Sequence, residues 1–262
     1  MQIVRLRVPE DNVQKSGKGR SMESESPEGE RSNGCVTVAW GGDVNLGRRF
    51  HYSYDEGESP AGLSTLAPLR DADVGIINLE CVVATGGVQG IDKGERASYY
   101  YRARPEMLQA LLDGGVDIVA TANNHSGDYG PQALLEQAQW LDTVGIGYAG
   151  SGTNLQEALR PALRRVGDLS IAFFSIDATQ ASFAATANSP GHAYFSLHNP
   201  DVWHAHFTPL FQAARQQADI ILVAVHWGAN NKSSPGSAKI AVGHAIIDAG
   251  ADAVLGSSAH ML

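Results

Sequence analysis

An α/β domain built on a largely parallel sheet is the fold class that this sequence predicts. Short apolar runs alternate with helix-like stretches from Cys35 onward, and several of the runs are continuous in Val, Ile and Ala. Such alternation is what strands joined by crossover helices produce. An unbroken apolar run belongs to a strand covered on both faces, whereas a half-exposed strand alternates with polar residues. Nearly every run is also followed by Asp, Glu, Asn or His, and the carboxyl ends of strands are where open α/β sheets bind ligands.

Residues 1–34 precede this pattern and do not share it. They pass through Lys15-Ser16-Gly17-Lys18-Gly19-Arg20 and Glu23-Ser24-Glu25-Ser26 without apolar periodicity. Little burial would offset the entropy of ordering them, so a disordered tail is expected. The strands expected after it are 35–40, 74–78, 117–121, 170–176, 220–226 and 252–255. Helices are expected at 105–113, 131–144, 201–217 and 236–248. The first of these opens with Pro105 in its first turn and closes at Gly114-Gly115. The last closes at Gly250, where a left-handed residue ends a helix and glycine suits it. No internal repeat and no second domain is visible, so residues 35–262 are read as one domain.

The formal net charge is −9. Six basic and six acidic residues cancel within the tail, leaving the whole excess on residues 35–262. An acidic domain is a poor partner for nucleic acid or an anionic membrane surface. Cys35 and Cys81 give no disulfide framework and no thiolate metal spacing, and are read as buried free thiols. No run approaches the roughly 18 apolar residues of a membrane span. The start, Met1-Gln2-Ile3-Val4-Arg5-Leu6-Arg7, lacks the apolar centre of a secretory signal. The chain therefore reads as cytoplasmic, with no membrane span and no sign of its oligomeric state.

Five strand ends carry metal-competent side chains. They are Gly42-Asp43-Val44-Asn45, Asn78-Leu79-Glu80, Asn123-Asn124-His125 with Asp128, His226-Trp227-Gly228, and His260. Oxygen and imidazole donors without thiolates suit Mg²⁺, Mn²⁺, Fe, Zn²⁺ or Ca²⁺ better than a structural zinc site. Each motif alone has an ordinary structural explanation. An Asp after a strand is commonly a helix N-cap, a lone His a hydrogen-bonded core residue, and an Asn pair a turn. Their recurrence at five strand ends is what points to a shared site.

The same stretches, together with Arg48, Tyr101-Arg102-Ala103-Arg104-Pro105, Asp128-Tyr129-Gly130 and Ala245-Ile246-Ile247-Asp248-Ala249-Gly250-Ala251-Asp252, resemble the bacterial capsule-synthesis (CapA, or poly-γ-glutamate capsule) family of the calcineurin-like metallophosphoesterase superfamily. The resemblance covers residues 35–262 and implies a layered α/β sandwich of the metallophosphoesterase type. Residue by residue it implies Asp43 and Glu80 as carboxylate ligands, with Glu80 the bridge. Asn124 and His226 would serve a second metal and His260 the first, while Asn45 falls where many such phosphoesterases carry a histidine. His125 would face the substrate as a general acid or oxyanion stabiliser, and Asp128 would orient it or cap a helix.

Two departures from the family pattern stand out. The final loop of the family reads Gly-His before its second histidine, whereas here Gly256 is followed by Ser257. A hydroxyl is a poor ligand for divalent transition metals, so one ion is expected rather than two. The chain also ends two residues after His260, and the resemblance then implies a domain truncated at its C-terminus. The expected function is a capsule or poly-γ-glutamate biosynthesis protein, a divalent-metal-dependent hydrolase of a phosphoester or a peptide-like amide. Its partners would be a polymer, peptide or phosphoester substrate. The alternatives are a metal-dependent peptide epimerase and a catalytically impaired member that binds polymer or partner proteins. Tyr99-Tyr100-Tyr101 is read as packing, His192, His198, His204 and His206 as solvated, and Trp227 as wall or core.

Overall fold

The computed structural model describes residues 2–7, 35–48, 50, 66–90, 92–95, 98–228 and 230–260. In chain order the strands begin with β1 (Gln2–Arg7), β2 (Cys35–Val44), β3 (Val74–Leu79), β4 (Val82–Val83), β5 (Arg102–Ala103), β6 (Ile118–Ala120) and β7 (Gly147–Ala149). They continue with β8 (Ser151–Gly152), β9 (Ala162–Val166), β10 (Leu169–Asp177), β11 (Gly191–His192), β12 (Ile220–His226) and β13 (Ala253–Ser257). The helices are α1 (Ala67–Arg70), α2 (Gln109–Asp113, continuing a 3₁₀ turn at Pro105–Leu108), α3 (Gly130–Val144), α4 (Leu155–Ala158), α5 (Pro200–Ala214) and α6 (Gly236–Asp248).

Two main sheets form where the apolar runs alone suggested one. The first has the order β1-β2-β3-β6-β7 and the second β13-β12-β10-β9. Each is parallel except for one edge strand, β1 on β2 and β9 on β10. Side chains alternate between two apolar environments along every central strand. Val36, Val38, Trp40, Ile76, Ile118, Ile171, Phe173, Ile220 and Leu222 fill one core between the sheets. Ala39, Ile77 and Val119 point the other way, toward Leu108, Leu111 and Leu141 of the helical layer on the first sheet. Phe174, Ile176, Ile221, Val223 and Val225 do the same toward Trp203, Phe207, Phe211 and Ile246 of α5 and α6. The result is a helix–sheet–sheet–helix sandwich, which explains why the strands read as unbroken apolar runs. The layered α/β fold expected from the resemblance is the one that forms.

The tail expectation for residues 1–34 differs from the structure at its first residues. Gln2–Arg7 is an edge strand, paired antiparallel with β2 from Gln2 opposite Trp40 to Arg7 opposite Cys35. The half-buried Val4 packs against the core between the sheets, a contact that six residues can make only because β2 is already there to receive them. The remainder of that segment lies outside the described residues.

The two sheets meet at the carboxyl ends of β2, β3, β6, β12 and β13. Trp40 Nε1 donates to the Gly256 carbonyl at 3.1 Å and ties the first sheet to the last strand of the second. The five strand ends singled out in the sequence therefore open on one edge of the sandwich.

Candidate metal centre

A bulge aims Asp43. The pairing of β2 with β3 shifts register between Trp40 and Asp43, across two glycines. Gly42 has φ of 69°, and a Cβ on Gly41 would lie 2.8 Å from the Ile77 side chain. Glycine suits both positions because it tolerates the left-handed region and the close approach. Asp43 Oδ1 then accepts from Asn78 Nδ2 at 2.7 Å. Its Oδ2 accepts from the Ser258 backbone N–H at 2.9 Å, a bond that crosses from one sheet to the loop after the other.

Glu80 follows β3 and His226 ends β12. One oxygen of Asp43, one of Glu80 and one ring nitrogen of His226 all lie within 4.8 Å of one another. His226 Nδ1 stands 3.7 Å from Asp43 Oδ1, and its Nε2 is 3.8 Å from Glu80 Oε1. The same Nε2 is 3.0 Å from Asn124 Oδ1, and Nδ1 faces Ser257 Oγ at 3.0 Å. His260, at φ 49°, brings Nε2 to 3.8 Å from Glu80 Oε1 with its side chain 40% exposed at the mouth of the site.

Burial pushes the Glu80 carboxyl up to about 8, and the neighbouring Asp43 charge adds to the effect. Burial also holds His226 below the usual histidine range. Glu80 is thus largely protonated at neutral pH, and His226 offers a neutral imidazole. Two carboxylates, an imidazole and an amide oxygen make a donor set for a hard or borderline divalent cation. Such an ion would offset the desolvation and repulsion that keep a proton on Glu80. The residues fit a metal.

His125 and Asp128 form a second polar group beside the first. His125 stacks on Tyr101 with ring centroids 4.1 Å apart, and its Nδ1 is 2.7 Å from Asp128 Oδ2. Burial lowers the His125 pKa, with Asp128 acting against the shift. Asp128 is not the cap of α3, which begins at Gly130 with Tyr129 as its N-cap residue and no side-chain cap hydrogen bond. Its other oxygen meets Lys93 Nζ at 2.5 Å, both side chains fully buried. Asn45 Oδ1 accepts the Gly47 N–H at 2.8 Å in a local turn.

Several buried polar residues had no role in the sequence reading. Asn78 bonds Asp43, accepts from Asn123 Nδ2 at 3.0 Å, and lies 3.2 Å from His226 Nδ1. His192, expected to be solvated, is fully buried, because the short pairing of β8 with β11 carries it behind the Asn123–Asp128 loop. There its Nδ1 meets Ser126 Oγ at 2.6 Å, and its Nε2 lies 3.4 Å from Asp177 Oδ2. His198, His204 and His206 are exposed as expected. Asp177 was within reach of the strand-end criterion, since it closes the run 170–176. Lys93 was not, for Asp92-Lys93-Gly94-Glu95 reads as an ordinary polar loop. Trp227 is half-buried against the outer core of the second sheet.

A comparison with protein families gives this geometry a context. Residues 37–262 match the family described as bacterial capsule synthesis protein PGA_cap. The chain belongs to that family. It is 25% identical to the capsule biosynthesis protein CapA of Bacillus anthracis, over 92% of this chain and 58% of that protein. It is 27% identical to the PGA biosynthesis protein CapA of Bacillus subtilis, over 88% of this chain and 59% of the relative. A probable polyglutamine synthesis accessory protein of Mycobacterium tuberculosis is 32% identical over 86% of this chain and 68% of its own length. This PGA_cap chain thus spans a little under three fifths of the Bacillus proteins it matches. Among its described residues, no helix is long and apolar enough to cross a membrane.

Proposed function

We propose that this PGA_cap chain carries the divalent-metal-dependent hydrolase site of a capsule or poly-γ-glutamate biosynthesis protein, acting on a phosphoester or a peptide-like amide. The observation that carries the reading is the convergence of Asp43, Glu80 and His226 within 4.8 Å at the junction of the two sheets. One ion would be held by these three, with Asn124 and His260 beside them. The serine hydroxyl at 257, next to His226 Nδ1, supports one ion over two, since a hydroxyl is a weak ligand. The polymer is suggested by the names of the relatives.

A bound divalent ion supplies Lewis acidity toward a carbonyl or phosphoryl oxygen and activates water. The chain's own residues do the rest. Asn78 holds the Asp43 carboxylate in orientation through a 2.7 Å bond. Asn123 holds Asn78 in turn and, through its Oδ1, the backbone N–H of His125 at 3.0 Å. His125 presents its Nε2 for proton transfer, its Nδ1 being engaged by Asp128.

Metal analysis after saturation and desalting tests the reading. About one equivalent is expected by the donor count, and less than about 0.2 equivalents would sink it. Two tightly bound equivalents would overturn the single-ion assignment. Deuterium appearing at Cα of a peptide substrate in D₂O would replace hydrolysis with epimerisation.

A further inference from the structure

Lys93 is the least expected charge in the molecule. It lies in the loop between β4 and β5, yet its side chain has no exposure, and neither has that of Asp128, which it meets at 2.5 Å. Its Nζ also donates to the Tyr99 carbonyl at 2.8 Å and lies 3.2 Å from His125 Nδ1. The rings of Tyr100 and Phe183 flank the ammonium at 5.1 and 5.7 Å. The backbone is held as firmly. Gln180 Nε2 donates to the Lys93 carbonyl at 3.1 Å, and the Gln180 N–H is itself bound by Asp177 Oδ2 at 2.7 Å.

Lys93 and His125 divide Asp128 between them. Oδ1 is paired in charge with the ammonium without accepting an ordinary hydrogen bond, while Oδ2 accepts the Tyr101 N–H at 2.5 Å and faces His125 Nδ1 at 2.7 Å. A buried carboxylate without Lys93 would be free to rotate its oxygens or to take a proton and become a donor. His125 Nδ1 lies between the carboxylate oxygen Oδ2 at 2.7 Å and the ammonium at 3.2 Å. The shorter contact is to an ionised carboxylate that can only accept, so Nδ1 carries the proton, while the ammonium donates to the Tyr99 carbonyl and pairs in charge with Oδ1. The Tyr101 ring on the face of the imidazole removes the remaining freedom. Nε2 is then left with its lone pair and, among the described residues, no protein partner.

We propose that Lys93 is a positioning residue that acts through Asp128 to fix His125 as the Nδ1–H tautomer, so that Nε2 meets the substrate as a proton or hydrogen-bond acceptor. The kinetic consequence rests on the hydrolase reading above; the tautomer does not. Sealing an ammonium from water carries a desolvation cost that an exposed ion pair would not. A fixed acceptor two bonds away is a use that requires burial.

The test is ¹⁵N NMR of the nine histidines labelled in the imidazole ring, with His125 assigned from His125→Gln. In the unaltered protein the His125 ring should show the Nδ1–H tautomer alone, and a dominant Nε2–H signal would overturn the proposal without any variant. In Lys93→Met the two tautomers should exchange. Once a hydrolysed substrate is known, kcat should fall ~10–100-fold, the range for a residue that orients a ligand or base, with KM within about twofold. A folded Lys93→Met protein that keeps the single tautomer overturns it. Lys93→Met combined with Asp128→Asn restores charge balance and therefore folding, yet should still show mixed tautomers. Loss of activity in every preparation alongside the expected tautomer would count against the hydrolase reading and leave the role of Lys93 intact.

Discussion

Two buried ionic groups lie side by side at the top of the sandwich, and they solve the same electrostatic problem in opposite ways. Around Asp43, Glu80 and His226, two carboxylates come together and Glu80 is pushed up to about 8. Around His125 and Asp128, a single buried carboxylate meets a fully buried lysine at 2.5 Å. The second group carries its own cation and is complete as folded. The first has an excess of negative donors and is arranged to gain by receiving a cation. Low dielectric makes both choices consequential, since charge inside a protein must be paired, neutralised or matched by an ion.

The largest expected effect breaks the first group. Asp43→Ala should abolish specific metal binding, measured by calorimetry or metal analysis, a loss beyond the ~10–100-fold seen when only a supporting residue is removed. Retained binding would take Asp43 out of the site. Next comes the second group, broken from either side. Lys93→Met leaves a buried anion and Asp128→Asn a buried cation, and each should cost ~3–5 kcal/mol of stability in urea unfolding. The two together should cost clearly less than the sum. Simple additivity would mean that the pair is not coupled as its geometry indicates.

A third expectation concerns protons. Because Glu80 is protonated up to about 8 in the metal-free fold, metal entry must displace that proton. Affinity should therefore fall by up to about tenfold for each pH unit below 8. A flat profile between pH 6 and 8 would show that Glu80 is not displaced. A fourth expectation concerns metal-free stability. The folded pKa of Glu80, about 8, lies above its ordinary 4.5, so the folded state holds a proton that the unfolded chain releases. The stability contributed by this group is full below pH 4.5 and lost progressively toward pH 8. Glu80→Gln should remove that decline in a chelator-treated protein, with unfolding at pH 5 and pH 8 as the measurement. An unchanged decline would assign it elsewhere.

The difference between the two groups also tracks what could be read from the chain. Asp43, Glu80, Asn124, His226 and His260 were legible because each sits at or just after an apolar run, and strand ends converge in an α/β fold. His125 and Asp128 were legible for the same reason. Lys93 and His192 were not, since they reach the site through loops and a two-residue strand whose local sequence is unremarkable. Gln2–Arg7 was missed because an edge strand of six residues acquires its stability from the strand it pairs with.

By itself the sequence determined the alternation of strands and helices and the chemistry available at the strand ends, because period, apolar content and residue type are local properties. It also carried the family resemblance. Only the tertiary structure decided that the strands divide into two sheets, that Asp43 and Glu80 from the first sheet and its loop converge with His226 of the second, and that a lysine from a distant loop is sealed against Asp128. Those outcomes depend on which surfaces are excluded from water together. Burial is a property of the whole fold, and no single segment records it.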